Sequence, residues 1–275
     1  MPDPVPWAAA GGSAWVARKV LGPTLDILGE AGARWAEYRT RNVGRVLGIA
    51  ADRAGSEIEI PGAVHPRVAA QILHEASFCD DALMQEYFGG VLAAARTPTG
   101  RDDRGAKWAA VVARLSSYEV RLHYLIYREV QRAVADTSID LGDGNQLARH
   151  GIYLSAQGFV SAMELGRDDP EPQVAADHAV TGLIREGFLQ PDVWCVELTR
   201  EWMPESEGTR AGGLVAVPTH SGVELFLWAH GRRSGQATLL TAPSAEFRIS
   251  HPVPEADATV LPDSSWTAHM PSSST

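Results

Sequence analysis

The sequence predicts a mainly α-helical protein of the α+β class, with an N-terminal helical region, a winged-helix-like C-terminal module and a disordered tail. Apolar residues recur every three or four positions through most of the first 135 residues, which is the spacing of amphipathic helices. Two β-rich runs, VWCVEL and GLVAVP, follow in the second half. Pro, Ser and Thr then dominate the chain from residue 243 onward.

The N-terminal region is predicted to comprise a flexible arm, residues 1–14, and a helical domain, residues 15–115. Helical spacing of apolar residues extends over residues 13–55, although five glycines between residues 22 and 48 make this a poor isolated helix. Each glycine costs about 1 kcal/mol relative to alanine, so either the helix is broken near Gly22 or close packing needs the small residues. After a short extended stretch, a second helix is predicted over residues 66–76.

Side chains that cap helices mark the next helix starts. Asp80 or Asp81 is a suitable N-cap for a helix that follows the turn after residue 76. Apolar residues at helical spacing then predict a helix near residues 108–115. Ser116 and Glu119 form a capping box, which predicts that a long amphipathic helix begins there.

Residues 116–242 are predicted to form the winged-helix-like module, followed by the disordered tail, residues 243–275. Its elements follow the order helix, short strand, short helix, helix, strand, wing, strand and helix, which is typical of a winged helix-turn-helix. Gly187 suits the C′ position, immediately after the C-terminal end of the third of these helices, where glycine is favoured. The segment TREWMPESEGTRAG between the β-rich runs is too long for a tight turn and suits a wing. Thr219 can cap the last helix.

Bulk composition restricts the class of function. The chain has 275 residues, enough for one or two domains, and a net charge of −10, which argues against binding nucleic acid over its whole surface. Its two cysteines, Cys79 and Cys195, imply no disulfide framework. No apolar run approaches the roughly 20 residues of a membrane span, and the N-terminus lacks the features of a signal peptide. We therefore expect a cytoplasmic protein.

Motifs for catalysis or cofactor binding are not evident. The sequence has no Walker A motif, no GxGxxG, no HExxH and no zinc-type Cys/His spacing, so we expect no cofactor and no metal. His74 and Cys79, beside Asp80 and Asp81, are the best alternative for a metal site, but helix capping explains the aspartates more simply. His220 with Ser221 is likewise better explained as a helix start. We predict no catalytic residues and a protein that is not an enzyme.

A cluster of arginines stands out near the N-terminus. Residues 15–55 contain seven basic and four acidic residues, a net charge of +3 inside an acidic protein. Arg34, Arg41 and Arg45 are spaced seven and four residues apart and share one helical face, and Arg39 lies between them in sequence. These four side chains are our candidate site, a basic face for a membrane, a polyanion or a partner. Pairing with the protein's own carboxylates is the simpler alternative.

The predicted winged helix carries a net negative charge, unlike the basic N-terminal segment. Residues 160–212 contain eleven acidic residues and four arginines, a net charge of −7. Because affinity for DNA depends largely on neutralising phosphates, we expect this module not to bind DNA. We interpret it as structural or protein-binding.

Several segments together resemble the abortive-infection alpha (Abi-alpha) family, a bacterial domain long described as of unknown function. The segments are KVLGPTLDILGEAGARWAEYRTRNVGRVL, HPRVAAQILHEASFCDDALMQEYFGGVLAAA, LSSYEVRLHYLI, VTGLIREGFL and VPTHSGVELFLWAHG. The resemblance covers roughly residues 15–232. It implies a role in bacterial defence against phage, in which the infected cell dies or arrests before progeny emerge. The family brings no established catalytic residues, so the resemblance assigns none.

Three hypotheses about function follow. The first is a non-enzymatic anti-phage protein that acts through a protein partner, through self-association, or through the anionic surface of the inner membrane, where it would be peripheral. The second is a winged-helix transcriptional regulator, against which the acidic module argues. The third, an unrecognised hydrolase or nuclease, lacks a suitable constellation of residues.

Overall fold

The fold is mainly α-helical with small sheets, as the sequence predicts. In the computed structural model the described residues are 32–135, 147, 150–165, 170–191, 194–196, 213–233, 240, 247, 249–250, 253 and 258–261. The predicted arm, residues 1–14, and the predicted wing lie outside them.

Five of the described helices precede residue 136, and a two-residue antiparallel ladder lies among them. They are α1 (Gly32–Ala54), α2 (Pro66–Ala76), α3 (Ala82–Ala94), α4 (Gly105–Arg114) and α5 (Ser117–Val134). Strand β1 (Ala63–Val64) pairs with strand β2 (Arg96–Thr97) and ties the start of α2 to the end of α3.

Local hydrogen bonds set these helix starts. The Asp81 carboxylate accepts a bond of 2.8 Å from the Met84 N–H, so Asp81 is the N-cap of α3. Both halves of the capping box between Ser116 and Glu119 are present at the start of α5. Proline occupies the first position of α2, where its missing N–H costs nothing. The predictions for these three helix starts are confirmed.

One expectation for the first part of the chain differs from the structure. The stretch after α1 is not extended throughout, because residues 55–59 form a 3-10 helix. Leu47, one of the apolar residues whose helical spacing predicts a helix over residues 13–55, is 47% exposed. Val46 and Ala50 lie on the side of α1 that packs against the other described helices, and Leu47 lies 100° further round the helix.

The described residues of the second half include three further helices and a four-stranded antiparallel sheet. The helices are α6 (Ala156–Met163), α7 (Pro172–Arg185) and α8 (His220–Ala229), and the strands are β3 (Gly151–Ser155), β4 (Trp194–Val196), β5 (Gly213–Ala216) and β6 (Ala258–Leu261). The sheet order is β4-β5-β3-β6, and Tyr153 of β3 lies opposite Val215 on one side and Thr259 on the other. The order α5, β3, α6, α7, β4, β5, with β5 between β4 and β3, is that of a winged helix.

Strand β6 corrects the expectation of a disordered tail over residues 243–275. Residues 258–261 add a fourth strand to the sheet, and Val253 before them is buried. The side chains of Phe247 and Ile249 pack against the hydrophobic core. Edge pairing with β3 gives this segment backbone partners that its Pro- and Ser-rich composition does not reveal. The other residues of the predicted tail lie outside the described ones.

A single hydrophobic core serves both predicted regions. One cluster of buried side chains runs from Val46 of α1 to Val253, across the boundary predicted between residues 115 and 116. Helix α3 is at its centre, with α1, α2, α4, α5 and α8 around it. None of the helices described is both long and apolar enough to cross a membrane.

Candidate functional site

Arg39, one of the four arginines of the predicted basic face, does not share the exposed side of α1 with Arg41 and Arg45. The Arg39 Nε donates a bond of 2.9 Å to the Ser77 hydroxyl, and its guanidinium lies 4.2 Å from the centre of the Phe78 ring. Arg39 therefore contacts the turn between α2 and α3, on the side of α1 that faces the protein. It does not belong to an exposed basic face.

Arg41 and Arg45 are exposed on the opposite side of α1. Arg41 pairs with Glu37 at 3.2 Å, as the alternative of internal pairing anticipates. No carboxylate among the described residues lies within ion-pair distance of Arg45. The helix backbone places Arg34 on the same side, but its side chain lies outside the description. The exposed basic face therefore includes Arg41 and Arg45 but not Arg39.

The outer face of α7 occupies the position of a recognition helix in a winged-helix module. Val174 is 58% exposed there, beside Gln173 and Asp177, whose side chains hydrogen bond at 2.8 Å. The one arginine of the helix, Arg185, donates toward Glu119 of α5 at 3.4 Å. The face therefore presents an apolar side chain and a carboxylate where DNA-binding helices present cations.

The inner face of α7 is fixed tightly to α5. A side chain at Gly182 would overlap the Glu119 carboxylate, so glycine is needed for the approach. His178 Nε2 lies 2.9 Å from the hydroxyl of Ser116, the N-cap of α5. These contacts hold the outer face of α7 in one orientation relative to the helical region.

A groove of about 310 Å³ lies at the turn between α2 and α3, where the sequence offered its metal alternative. Its lining includes Cys79, Asp80 and Asp81. Burial raises the pKa of the Cys79 thiol to about 12, so the thiolate that nucleophilic or metal chemistry requires is disfavoured. Asp81 is occupied as a helix cap and lies 3.8 Å from Arg121. Among the described residues, no group of three or more His, Cys, Asp or Glu side chains is placed to hold a metal ion.

A buried hydrogen-bond chain that the sequence did not reveal crosses the centre of the molecule. His123 lies 3.1 Å through Nε2 from the Gly222 carbonyl and 2.7 Å through Nδ1 from the Tyr87 hydroxyl. A carbonyl only accepts, so Nε2 carries the proton and Nδ1 accepts from Tyr87. Burial lowers the pKa of His123 to about 3. The imidazole is therefore neutral and both of its nitrogens are satisfied, which is a structural arrangement.

Tyr127 extends this polar chain to the surface loops. Its hydroxyl donates to the Phe188 carbonyl at 2.5 Å and accepts from the Thr219 N–H at 2.9 Å. The Thr219 hydroxyl caps α8 by accepting from Gly222 N–H. The loop after α7 and the start of α8 are thus joined through one buried phenol.

Above this junction lies a cleft between α4 and the start of α8, which we call the α4–α8 cleft. It has a volume of about 270 Å³ and is lined by Lys107, Trp108, Ala110, Val111, Arg114, Glu186, Phe188 and Ser221. It combines two cations with aromatic walls in an otherwise acidic protein. Lys107 and Trp108 are adjacent in sequence, but nothing local indicates that residues 186–221 complete the cleft.

Comparisons with known proteins identify no relative. No family model matches the chain, no curated protein matches it, and no solved structure matches its fold.

Proposed function

We propose that this chain is a non-enzymatic anti-phage protein whose winged-helix-like module binds a protein partner through the outer face of α7. The link to phage defence depends on the resemblance of five ordered segments to the Abi-alpha family. The choice of a protein partner depends on the chemistry of the α7 face.

The exposure of Val174 is the observation that carries the proposal. An apolar side chain that is 58% exposed beside Asp177 suits an apolar contact surrounded by polar groups, as in protein interfaces. With a net charge of −10 and a carboxylate at the contact, the complementary surface is cationic around an apolar pocket. The same carboxylate would repel nucleic-acid phosphates.

The packing of α1 weakens the membrane alternative. A helix that lies in a bilayer surface inserts its apolar side, but that side of α1 is covered by α3. Ile49 of α1 lies so close to Gly89 of α3 that a side chain at position 89 would overlap it, and the Val46 carbonyl would be in tight contact. Arg41 and Arg45 could contact anionic lipid only through their charges, and Arg41 is already paired with Glu37.

The test is a phage challenge of a bacterial host that expresses the protein, at low and high phage-to-cell ratios. The wild type should protect the culture at low ratio, and the culture should collapse at high ratio. The double variant Val174→Arg, Asp177→Arg reverses the character of the α7 face at exposed positions and should abolish protection without changing the thermal midpoint.

A matched control separates the two kinds of surface. The variant Arg41→Gln, Arg45→Gln removes the exposed cations of α1 and should protect as well as the wild type. Failure of the wild type against a broad phage panel would contradict the defence role. Loss of protection in this control, with protection retained in the α7 variant, would favour the membrane surface instead.

One observation favours a transcriptional regulator as a second candidate. The described strands and helices follow the winged-helix order, and α7 stands in the place of the recognition helix. A mobility-shift assay with the DNA upstream of the protein's own gene tests this. A salt-dependent shift that the α7 variant changes would support a regulator, whereas no shift at low salt would exclude it.

A further inference from the structure

Independently of the function proposed above, we propose that the α4–α8 cleft is a binding site for a small organic anion with an apolar body, such as an aromatic carboxylate. The proposal stands on the shape of the cleft, the composition of its walls and the placement of its charges.

The walls of the cleft are apolar and well ordered by packing. Trp108, Val111 and Phe188 line it with less than a tenth of each residue exposed. Phe188 is held from behind, where its ring meets His123 edge to face at 5.5 Å and its carbonyl accepts from Tyr127. An apolar base that packing already holds rigid loses little conformational entropy when a planar ligand covers it.

Positive charge lies at the rim. Lys107 and Arg114 are seven residues apart on α4 and therefore on one side of it. Arg114 is paired with Glu186 at 2.7 Å, so these two charges cancel. The Lys107 ammonium lies 4.5 Å from the centre of the Trp108 ring, and no carboxylate among the described residues is within ion-pair distance of it. The cleft as a whole therefore carries one uncompensated positive charge.

The opposite rim of the cleft offers a second group that can bind an anion. Ser221 contributes a hydroxyl from the first turn of α8, and the N-terminus of a helix carries partial positive charge. A carboxylate placed between Lys107 and Ser221 would gain an ionic partner and a hydroxyl donor, while its apolar body rests on the small exposed parts of Trp108, Val111 and Phe188 at the base of the cleft. The volume of about 270 Å³ is near the lower end of the roughly 300–1,000 Å³ of ligand pockets, which restricts the ligand to one or two rings.

The location of the cleft gives such a ligand a structural consequence. One wall belongs to α4 of the N-terminal region, and the other to the loop after α7 and the start of α8. The only ion pair that spans it among the described residues is Arg114–Glu186. A bound anion would add a second link between the two walls and stabilise the folded protein by mass action.

The experiment is isothermal titration calorimetry with three probes of similar shape and different charge: 1-naphthoate, neutral 1-naphthamide and cationic 1-naphthylmethylamine. For the wild type we expect naphthoate to bind at least about tenfold more tightly than naphthamide, and the amine not to bind. Naphthoate should also raise the thermal midpoint. Absence of naphthoate binding at millimolar concentration, or equal affinity for acid and amide, would overturn the proposal.

Two variants assign the binding to this cleft. Lys107→Met keeps an apolar stem over Trp108 and removes the charge, so it should lower naphthoate affinity to that of naphthamide. Ala110→Leu fills the cleft from α4 and should abolish binding of both. Arg101→Gln changes an exposed cation outside the cleft lining and should leave all affinities unchanged. Unchanged naphthoate binding in Lys107→Met would refute the site. The phage challenge plays no part in these measurements, so the two proposals fail separately.

Discussion

Gly90 of α3 lies directly against the backbone carbonyl of Ala229 in α8, and a side chain at position 90 would overlap that oxygen. Residue 90 belongs to the N-terminal helices and residue 229 to the last helix described. Their contact links the two predicted regions, and the absence of a side chain at position 90 is what permits it.

The first prediction concerns this contact. Gly90→Ala forces a methyl group into a backbone carbonyl that cannot rotate away, so the free energy of unfolding should fall by about 3 kcal/mol. The measurement is urea denaturation followed by circular dichroism.

Gly48→Ala is the matched control, since a side chain there meets nothing within 4 Å. It should raise the free energy of unfolding by about 0.5–1 kcal/mol, because alanine favours the helix. Equal effects of the two substitutions would show that the α3–α8 contact is not close.

The second prediction concerns the buried ion pair between Arg53 and Glu86. Their side chains lie 2.9 Å apart, Glu86 is 2% exposed, and its other oxygen accepts from the Ser250 N–H at 2.8 Å. Arg53→Met leaves a buried, unpaired carboxylate and should lower the free energy of unfolding by about 3 kcal/mol.

Adding Glu86→Gln to Arg53→Met removes the buried charge but keeps an acceptor for the Ser250 N–H. The double variant should therefore regain at least half of the free energy of unfolding that Arg53→Met loses. As a control, Arg41→Met breaks the exposed pair with Glu37 and should cost less than about 0.5 kcal/mol. If Arg53→Met proves equally mild, the pair contributes no more than a surface ion pair.

The third prediction concerns stability at acidic pH. Burial lowers the pKa of both His123 and His230 to about 3. Between about pH 6.5 and pH 3 the unfolded chain binds protons that the folded protein does not, so stability falls as the pH falls. Each histidine should contribute a slope of up to about 1.4 kcal/mol per pH unit in denaturation experiments.

His230→Phe isolates one of these slopes. The His230 ring lies among Phe226, Tyr124 and Phe247, and its Nε2 is buried without a hydrogen-bond partner among the described residues. Phenylalanine loses the bond of 2.7 Å between Nδ1 and the Phe226 carbonyl, so the free energy of unfolding at pH 7 should fall by about 1 kcal/mol. The pH dependence below pH 6.5 should nevertheless become flatter. His220→Gln, at an exposed position, provides the comparison. An unchanged slope in His230→Phe would mean that this imidazole is accessible to protons.

The fourth prediction separates the arginines of α1. Arg39→Gln loses the bond to Ser77 and the contact with Phe78, and should lower the free energy of unfolding by roughly 1–2 kcal/mol. Arg45→Gln, on the exposed side, should change it by less than about 0.5 kcal/mol. Thermal denaturation of the two variants side by side measures the difference, and a reversed order would contradict the orientation of Arg39.

The sequence by itself determined the starts of α2, α3 and α5. The capping box of Ser116 and Glu119, the Asp81 cap and the proline that opens α2 each act within four residues, so the pattern of neighbours specifies them. The sequence left open whether the glycines of the first helical stretch break the helix or serve close packing. Among the described residues, a side chain at Gly44 or Gly48 of α1 would meet nothing within 4 Å, whereas Gly89 and Gly90 of α3 make close contacts.

Only the tertiary structure decided where side chains meet across the chain. It turned Arg39 toward Ser77, gave the segment 258–261 a strand partner in β3, and brought Lys107 and Ser221 to one cleft. These residues are separated by tens to more than a hundred positions. Whether they meet depends on how the shared core packs the helices together, and no periodicity or capping pattern within a short window encodes that packing.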